Sequence, residues 1–485
     1  MSHRCLPLLL VALATGPSAL HAQTSDSITA ADVRRRIALL ASDSLRGRGT
    51  PSPGLEQAAR YVAKEFQRLG LRPAGDSGYI QRYTILRTRV VAESSTVSFT
   101  GPRAARWRVG REVDWLPSSA PAPRDLAGPA VVLVGVPSDS VHAFDGLNLR
   151  GAVLIHIADD RPDRPSTPMW LLRAAVRAGA VACILVRNLN PDESHNRMAQ
   201  LARPRLLRPG AESFAPLPVL LMEDGTLGVY LAELGVAAAA SRPVPDTVER
   251  IPLNRVHVRL HLVERVLSQR SAPNILAVLP GTDTSAAAAY VALAAHIDAL
   301  GVGRKIGGDS IYNGADDDAS GTAAVLEVAE ALAYGPRPRR SVLFALFSGT
   351  ERGMWGSEYY VSRPTVPLAR MVAFLNVESI SRNMPDSLAV LGKARSWLGA
   401  AADSAAARHP EIGLTLLGDL WPREDYFEQS DQQMFAQHDV PSLFFFNGLH
   451  AALHQPWDDI RVVNAESAAR ITRYLAELTR ELANP

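Results

Sequence analysis

The sequence predicts an α/β fold in which a mostly parallel sheet is sandwiched between helices, with a second, inserted domain of α/β or β-rich type. Two observations support this prediction. After about residue 271, apolar runs of strand type alternate with segments of helical periodicity, which favours a largely parallel sheet covered on both faces. A chain of 485 residues also exceeds what one hydrophobic core usually serves, so we expect two or more domains.

The core elements follow from the apolar pattern of the C-terminal half. Short apolar runs predict buried strands, and longer runs with apolar residues three or four apart predict helices. The predicted strands are 274–279, 289–295, 341–347, 372–377 and 442–446. The predicted helices are 322–332 and 466–482. Because ligands of such folds gather at the carboxyl ends of the strands, a site is expected at that edge of the sheet.

The N-terminal segment 23–100 is predicted to be part of the same domain. Residues 31–40 and 54–69 carry helical periodicity, and Gly70 follows the second run as a C-cap. The Gly- and Pro-rich stretch 44–54 between them predicts a loop. The segment is therefore predicted to be two helices joined by that loop.

The character of the sequence changes between residues 101 and 252. Short apolar runs there predict strands, and a run of helical periodicity lies between the last two of them. The strand runs are 131–134, 152–155 and 182–186, and the helical run is 169–178. Pro-rich stretches at 117–123 and 242–245 mark the edges of this region. We therefore predict a domain inserted at 101–252, after which the main domain resumes and covers 253–485.

Residues 1–22 have the features of a cleaved signal peptide. They hold a basic residue, an apolar run at 5–14, a Gly16-Pro17 break and Ala22 before the predicted cut. The run is too short for a membrane anchor, which needs about 20 apolar residues, and no later segment is long and apolar enough. We therefore expect a secreted or periplasmic protein without a membrane span.

The composition indicates which partners and which cysteine chemistry are to be expected. The net charge is +2 and the basic residues form no stripe, which argues against nucleic acid as a partner. Only Cys5 and Cys183 are present, and removal of the leader leaves one cysteine, so no internal disulfide is expected. Cys183 lies in the apolar run V-A-C-I-L-V, which indicates a buried small hydrophobic residue rather than a nucleophile.

The C-terminal domain carries five motifs rich in acids and histidine. They are A-A-H-I-D at 294–298, N-G-A-D-D-D-A-S-G at 313–321, S-G-T-E-R-G at 348–353, N-V-E-S at 376–379 and H-A-A-L-H-Q-P-W-D-D at 450–459. Imidazole together with several carboxylates suits Zn²⁺ or a similar divalent ion. His296, Glu351 and Glu378 lie just past strand ends, so one site can collect them. The acids at 316–318, taken alone, would also suit a solvated helix N-terminus.

In this order and at this spacing, the motifs resemble those of the co-catalytic zinc aminopeptidases. That superfamily includes bacterial leucyl aminopeptidases, glutamate carboxypeptidase II and glutaminyl cyclases. The stretches L-N-L-R-G-A-V-L-I-H, R-A-G-A-V-A-C-I-L-V and L-P-V-L-L-M look like a protease-associated insert domain, which implies an insert beside or over the active site. The segment 27–72 resembles the family's N-terminal part, which implies packing against the catalytic domain.

The resemblance implies two zinc ions per chain, bridged by one carboxylate. The implied ligands are His296, Asp317 and Glu378 for one ion, and Asp317, Glu351 and His454 for the other. Asp298 matches the catalytic-site residue whose carboxylate supports the imidazole of His296. A strained peptide bond is implied after Asp317, and the acids on either side of Asp317 have supporting roles.

One position departs from the family pattern. Relatives show two successive glutamates, the first a general base and the second a ligand, where this chain has Thr350 and Glu351. A threonine hydroxyl cannot by itself collect a proton from water at neutral pH, and general-base catalysis is worth about 10²–10⁴-fold. Three other groups are candidates for the missing base: Glu358, Asp316 and His450. The run S-D-Q at 430–432 also departs from the more usual Ser-Asp-His.

These features support three functions and leave the oligomeric state open. The first is a secreted zinc exopeptidase acting on peptides, foremost an aminopeptidase, because every ligand position is filled. The second is a catalytically impaired peptide-binding protein that keeps the metals as structural staples, because Thr350 replaces the base. The third is cyclisation of N-terminal glutamine on a single-zinc version of the fold, and it is disfavoured because His296 and Asp317 supply a second ion.

Overall fold

The protein is described by a computed structural model. It covers residues 28–116, 125–137, 142–157, 169–187, 196–197, 199–201, 203–210, 217–236, 248–283 and 289–485. The predicted leader at 1–22 and the Pro-rich stretches at 117–123 and 242–245 lie outside these residues. None of the helices described is both long enough and apolar enough to cross a bilayer.

The described elements include runs of consecutive strands, and helices alternate with strands mainly in the C-terminal part. The strands are, in chain order, β1 (Arg72–Pro73), β2 (Ile80–Val90), β3 (Thr96–Thr100), β4 (Ala105–Arg108), β5 (Val113–Leu116), β6 (Asp125–Val134), β7 (Val153–Ile157), β8 (Ala182–Arg187), β9 (Arg205–Leu207), β10 (Val219–Glu223), β11 (Glu249–His261), β12 (Glu264–Leu279), β13 (Tyr290–His296), β14 (Gly301–Ile306), β15 (Asp309–Tyr312), β16 (Ser341–Phe347), β17 (Met371–Glu378), β18 (Ser387–Leu391), β19 (Thr415–Leu417) and β20 (Ser442–Phe446). The α-helices are α1 (Ala30–Leu40), α2 (Pro53–Arg68), α3 (Met169–Arg177), α4 (Val229–Glu233), α5 (Ala319–Tyr334), α6 (Trp355–Ser362), α7 (Leu398–Arg408), α8 (Gln432–Ala436) and α9 (Ala465–Leu482).

The larger sheet has the strand order β19-β18-β20-β17-β13-β16-β12-β2-β9, with β1 paired to β12. Its four central strands, β20, β17, β13 and β16, run parallel to one another. On one side β12, β2 and β9 join antiparallel, and on the other β18 joins β20 antiparallel. The predicted α/β fold is confirmed, and the parallel pairing is concentrated in the centre of the sheet.

Both faces of the central strands are buried, which explains why they are continuously apolar. In β16, Val342, Phe344 and Leu346 point into a core formed with α1, α2, α5 and α9. The intervening residues, such as Leu343 and Phe347, point into a second core with α6 and α8. A strand alternates its side chains between faces, so a run without polar residues is expected where helices cover both.

Polar side chains cap the N-termini of the long helices. Ser52 accepts a hydrogen bond from the backbone nitrogen of Leu55 and precedes Pro53 at the start of α2. Asp318 caps α5, and its Oδ1 accepts from Gly321 N at 2.9 Å. Such caps satisfy backbone donors that have no partner within the helix. The cap of α5 places the preceding acids at the edge of the sheet.

The N-terminal segment is fastened to the main domain by buried ion pairs. Arg36 of α1 is buried and pairs with Glu327 and with Glu330 of α5, the latter at 2.5 Å, and also with Glu65 of α2 at 2.9 Å. A buried guanidinium needs such partners, because an unpaired buried charge is strongly destabilising. The helices of residues 30–68 therefore pack against the domain that begins more than 200 residues later, as the resemblance implied.

A second sheet lies between residues 96 and 261, with the strand order β4-β3-β11-β6-β7-β8-β10-β5. It has its own apolar cores on both faces, one of which includes α3 and the other α4. Cys183 of β8 is buried in this region, and burial raises the pKa of its thiol. Strand β3 (Thr96–Thr100) lies before residue 101 and β11 (Glu249–His261) continues beyond residue 252, and the domain boundaries stay a prediction.

The two sheets are joined where two long strands meet. Strands β2 and β12 of the larger sheet pair antiparallel along most of their length. At their far end Val91 N donates to Val263 O at 2.8 Å, and the chain enters and leaves the second sheet beside this bond. One strand, β9, returns from within the 96–261 region to pair with β2 of the larger sheet.

The predicted elements agree closely with the described ones. The predicted strand 341–347 is β16, and the predicted strand 442–446 is β20. The predicted helices 322–332 and 466–482 fall within α5 and α9. Strand β12 was predicted only over its last residues, 274–279, and the antiparallel pairing beside the parallel centre was not predicted, because it joins segments that are distant in sequence.

Candidate metal centre

The candidate site lies at the carboxyl ends of the four parallel strands. His296 and Glu378 are the last residues of β13 and β17, and Glu351 lies in the turn after β16. His454 lies in the loop that follows β20. Because β20, β17, β13 and β16 are neighbours and parallel, their carboxyl ends meet at one edge. The chain topology therefore brings these side chains together from positions up to 158 residues apart.

All five predicted ligands line one pocket of ≈ 260 Å³. The pocket is lined by the acidic and histidine side chains His296, Asp317, Glu351, Glu378 and His454, by the polar residues Thr350, Ser379, Gln429 and Ser430, and by the apolar residues Tyr426, Phe444, Phe446, Leu449 and Leu453. The pocket therefore has a charged end and an apolar wall. Asp298 does not line it.

Asp317 lies between two histidines. Its Oδ1 is 3.1 Å from Nε2 of His296, and its Oδ2 is 3.0 Å from Nε2 of His454. The same histidine nitrogen lies 3.5 Å from Oε2 of Glu351. Asp317, Glu351 and His454 each offer a ligand atom within 4.8 Å of the others. One carboxylate oxygen therefore faces each histidine, which is the arrangement a bridging carboxylate needs.

Glu378 is held at the same pocket by side chains beside it. Its Oε1 accepts from Asn376 Nδ2 at 2.8 Å and from the hydroxyl of Ser430. Burial raises the pKa of Glu378. Its place among the acidic and histidine residues that line the pocket is consistent with the predicted ligand role, which stays a prediction.

The support of His296 differs in detail from the prediction. Its Nδ1 lies 3.1 Å from the backbone oxygen of Asp298 and 3.7 Å from the carboxylate Oδ1, so the carbonyl is the nearer acceptor. The Asp298 carboxylate instead accepts from Thr50 Oγ1 at 2.8 Å. The residue predicted to orient the imidazole is therefore present, with its main chain closer to the ring than its side chain.

The three adjacent acids have three different environments. Asp316 accepts from the backbone nitrogen and hydroxyl of Ser381, at 2.7 and 2.6 Å. Asp318 accepts from the backbone nitrogens of His296 and Gly321. Only Asp317 of the three lines the pocket, and the peptide bond between Asp317 and Asp318 is cis. The supporting roles expected for the outer two acids agree with these contacts.

The residues present fit zinc. Glu351 Oε1 is buried and has no hydrogen-bond partner among the described residues. Burial raises the pKa of Glu351 to about 8, and the hydrogen bond that His454 donates to Asp317 raises the pKa of His454 to about 9. A buried acceptor without a donor, beside imidazoles and carboxylates that retain protons, is typical of a site built around a cation.

These pKa shifts predict how the metal-free protein responds to pH. The proton on His454 stabilises the fold below its ordinary pKa of 6.5, and this contribution is lost as the pH rises through about 9. Ionising Glu351 costs stability progressively between its ordinary pKa of 4.5 and about 8. Both effects have the same sign, so the metal-free protein should become less stable as the pH rises from about 6 to about 9.

Calorimetric unfolding in the presence of a chelator, across this pH range, measures the effect. Zinc replaces the bound protons, so the zinc-loaded protein should show a much smaller loss on the same samples. A midpoint temperature of the metal-free protein that stays constant or rises with pH would contradict this account of the site.

Thr350 occupies the position of the expected base, and its hydroxyl has an acidic partner. Its Oγ1 donates to Oδ2 of Asp431 at 2.9 Å. The other carboxylate oxygen of Asp431 accepts from the hydroxyl of Ser357. Asp431 is buried, and burial raises its pKa to about 7. The carboxylate of Asp431 is therefore connected to the pocket through the hydroxyl of Thr350.

None of the three predicted replacement bases lines the pocket. Glu358 pairs with Arg208 at 2.5 Å and is not among the residues that line the pocket. Asp316 and His450 pair with each other, with Nε2 of the histidine 3.0 Å from the carboxylate. Each of these three groups is engaged by a neighbouring side chain outside the pocket lining. Asp431, which contacts Thr350, is therefore better placed to accept a proton from the pocket.

Two residues of the N-terminal loop that were not predicted from the sequence support the loops of the site. Arg48 is buried and donates to the backbone oxygens of Ile297, Asn313 and Gly314, at 2.8, 2.8 and 3.0 Å. It thereby ties together the loops that carry His296 and Asp317. Thr50, two residues later, contacts Asp298. The signal available was the short basic and glycine-rich run at 46–50, whose partners are about 250 residues away.

One segment of the chain matches a known family model. Residues 274–479 match the model of peptidase family M28. This segment contains every predicted ligand, together with Asp298, Thr350 and Asp431. The predicted resemblance to the co-catalytic zinc peptidases is confirmed by this match.

Individual relatives are more distant. A probable lipoprotein aminopeptidase of Mycobacterium tuberculosis, LpqL, is 25% identical over 357 residues, or 71% of this chain and 57% of that protein. The alignment thus spans less than two thirds of that relative's length. The structure of an aminopeptidase from Aneurinibacillus superposes with a TM-score of 0.52 at 16% identity, over 95% of this chain and 97% of the other. The zinc aminopeptidase BSAP of Bacillus subtilis gives 0.50 at 17%, over 95% and 96%. These superpositions show that the fold is shared.

Proposed function

We propose that this chain, whose residues 274–479 match peptidase family M28, is a zinc-dependent exopeptidase that releases N-terminal residues from peptides. The observation that carries the proposal is the placement of Asp317 between His296 and His454, with one oxygen facing each. His296, Asp317 and Glu378 would hold one zinc ion, and Asp317, Glu351 and His454 the second. When bound, zinc makes water acidic and polarises the scissile carbonyl.

The lining of the pocket supports an aminopeptidase over a carboxypeptidase. Among the described residues that line it there is no arginine or lysine. A C-terminal carboxylate entering the pocket would find no side-chain cation to pair with, and burying a carboxylate without a partner is costly. A free amino terminus can instead donate to carboxylate oxygens such as those of Glu351 and Glu378.

The apolar wall supports a preference for apolar N-terminal residues. The ring of Phe446 packs against those of Phe444 and Tyr426, with centroids 5.1 and 5.6 Å away respectively. Leu449 and Leu453 add aliphatic surface to the same pocket. Each apolar methylene that this wall excludes from water is worth about 0.8 kcal/mol. We therefore propose leucine-like or phenylalanine-like residues as the favoured N-terminal side chains.

Thr350 and Asp431 together replace the missing base. As the oxygen of a pocket water bonds to the carbonyl carbon, one of its protons passes to Thr350 Oγ1, and the hydroxyl's own proton passes to Asp431 Oδ2. When the C–N bond breaks, the proton returns along the same path to the leaving nitrogen. A group whose pKa is near neutrality is suited to this task, and the pKa of Asp431 is raised to about 7 by burial.

The alternative is a metal-stapled peptide-binding protein, and Thr350 is the observation that favours it. In that case the zinc ligands would hold loops in place, and the pocket would bind peptide ends without cleaving them. The two functions differ in one measurable property, which is turnover by the zinc-loaded protein.

We also propose that the protein is exported. The support is the predicted signal peptide at 1–22. Sequencing the amino terminus of the protein recovered outside the cytoplasm would show whether the leader is removed near Ala22. Recovery of the uncleaved chain in the cytoplasmic fraction alone would contradict export.

A panel of substrates tests the proposed function. The zinc-loaded protein should hydrolyse leucyl and phenylalanyl anilides, a chelator should abolish the activity, and added zinc should restore it. N-acetylated dipeptides with a free carboxyl end should remain intact. Phe446→Ala should lower kcat/KM for the phenylalanyl anilide by about 10–200-fold while changing that for the alanyl anilide less.

Three outcomes separate the alternatives. Hydrolysis of the acetylated dipeptides but not of the anilides would make the protein a carboxypeptidase. Binding of peptides without turnover by a fully zinc-loaded chain would support the binding protein. Release of cyclised product from N-terminal glutamine, with one zinc per chain, would support the cyclase.

A further inference from the structure

An arginine from the inserted region contacts the catalytic domain behind the pocket. Strand β9 leaves the 96–261 region and pairs antiparallel with β2 of the larger sheet, with Leu207 opposite Leu86. The next residue, Arg208, is only 3% exposed. Its Nη2 lies 2.5 Å from Oε2 of Glu358, which is itself buried in α6. A buried pair of this kind fixes the position of both partners, since breaking it leaves an uncompensated charge.

The first route from Arg208 to the pocket runs through α6. Glu358 is preceded on this helix by Ser357, whose hydroxyl donates to Oδ1 of Asp431. The other oxygen of Asp431 accepts from Thr350. The position of α6 therefore sets the position of the carboxylate that we assign as proton acceptor.

The second route runs through aromatic rings. The guanidinium of Arg208 lies 5.9 Å from the ring centre of Tyr359, and that ring is 5.7 Å from the ring of Tyr83. Tyr83 is buried and donates its hydroxyl to the backbone oxygen of Ser348 at 2.8 Å. Ser348 lies two residues before Thr350. Both routes from one side chain therefore end at the pair formed by Thr350 and Asp431.

We propose that Arg208 is a positioning residue through which the inserted region holds Thr350 and Asp431 in the geometry needed for proton transfer. This inference rests on the proposed function for its catalytic readout. The inserted region thereby affects the reaction through the contact of Arg208 with Glu358. A domain that only covered the active site would not need this contact. Strand β9 and Arg208 connect the inserted region to the main domain, because β9 pairs with β2 of the larger sheet and Arg208 pairs with Glu358 of α6.

The test compares Arg208→Gln with a matched variant, Arg363→Gln. Arg363 places its guanidinium over the same ring, 5.5 Å from the centre of Tyr359, but it is exposed and is not a member of the buried pair of Arg208 with Glu358. Arg208→Gln should lower kcat per zinc-loaded chain by about 10²-fold, with little change in KM and full zinc content, because misplacing a reacting group by about 1 Å costs this much. Arg363→Gln should keep the wild-type kcat. Arg208→Lys, which keeps the charge, should recover part of the loss.

A second measurement does not depend on activity. Hydrogen–deuterium exchange should speed up in the peptides that contain Thr350 and Asp431 when Arg208 is replaced by Gln, and not when Arg363 is. Unchanged exchange in those peptides would overturn the inference, and so would a wild-type kcat in zinc-loaded Arg208→Gln. An inert wild type with the expected exchange pattern would instead defeat the proposed function and leave the positioning role standing.

Discussion

Asp317→Asn is expected to abolish peptide hydrolysis and to remove most of the bound zinc. Asp317 places one oxygen 3.1 Å from His296 and the other 3.0 Å from His454, so we propose that this carboxylate is shared by both zinc ions. An amide carries no charge and offers only one oxygen, so neither ion keeps its full ligand set. Elemental analysis after gel filtration should fall from about two zinc ions per chain to well below one.

The matched control is Asp459→Asn, in the loop that carries His454. Asp459 pairs with Arg461 and does not line the pocket. This variant should keep its zinc and its activity. Retention of both zinc ions by Asp317→Asn would contradict the bridging role, and loss of zinc from Asp459→Asn would show that the loop, and not the carboxylate, decides binding.

Asp431→Asn is expected to lower kcat by about 10²–10⁴-fold while leaving the zinc content unchanged. Asparagine can still accept the hydrogen bond from Thr350, but it cannot take up the proton that the hydroxyl passes on. The protein should therefore remain folded, loaded with zinc and able to bind substrate, so the loss should appear in kcat more than in KM.

Ser357→Ala provides the comparison for Asp431→Asn. It removes the other hydrogen bond to the same carboxylate but leaves the contact with Thr350 intact. We expect a smaller loss from it, since the carboxylate can still accept the proton. A zinc-loaded Asp431→Asn with the wild-type kcat would show that the proton acceptor lies elsewhere.

The central elements of the fold were predictable from local pattern. Strands buried on both faces are continuously apolar, so β16 and β20 could be located to the residue. The helices α5 and α9 carry apolar periodicity and polar caps, which are also local signals. The antiparallel additions β2, β9 and β18 depend on pairing between distant segments, and no local pattern encodes a partner.

The residues predicted as ligands could be assigned to one pocket for a different reason. Each lies in a short motif at the end of a strand or in a loop, and parallel strands deliver such ends to one edge of the sheet. The contact between Thr350 and Asp431 joins residues 81 apart, and the ion pair of Arg208 with Glu358 joins residues 150 apart. Neither has a spacing signal, so the acid behind Thr350 became visible only in three dimensions.

The most direct test of the account is a rescue experiment on the proton path. Thr350→Glu restores a carboxylate at the position of the expected base, and Asp431→Asn removes the one we assign. The measurement is the rate of leucyl anilide hydrolysis by the zinc-loaded double variant, Thr350→Glu with Asp431→Asn, compared with Asp431→Asn alone. We predict that the double variant is faster by about 10²-fold or more, because the only missing group is the proton acceptor. A double variant that holds its zinc and remains as slow as Asp431→Asn, or a zinc-loaded wild type that hydrolyses no anilide, would contradict the account.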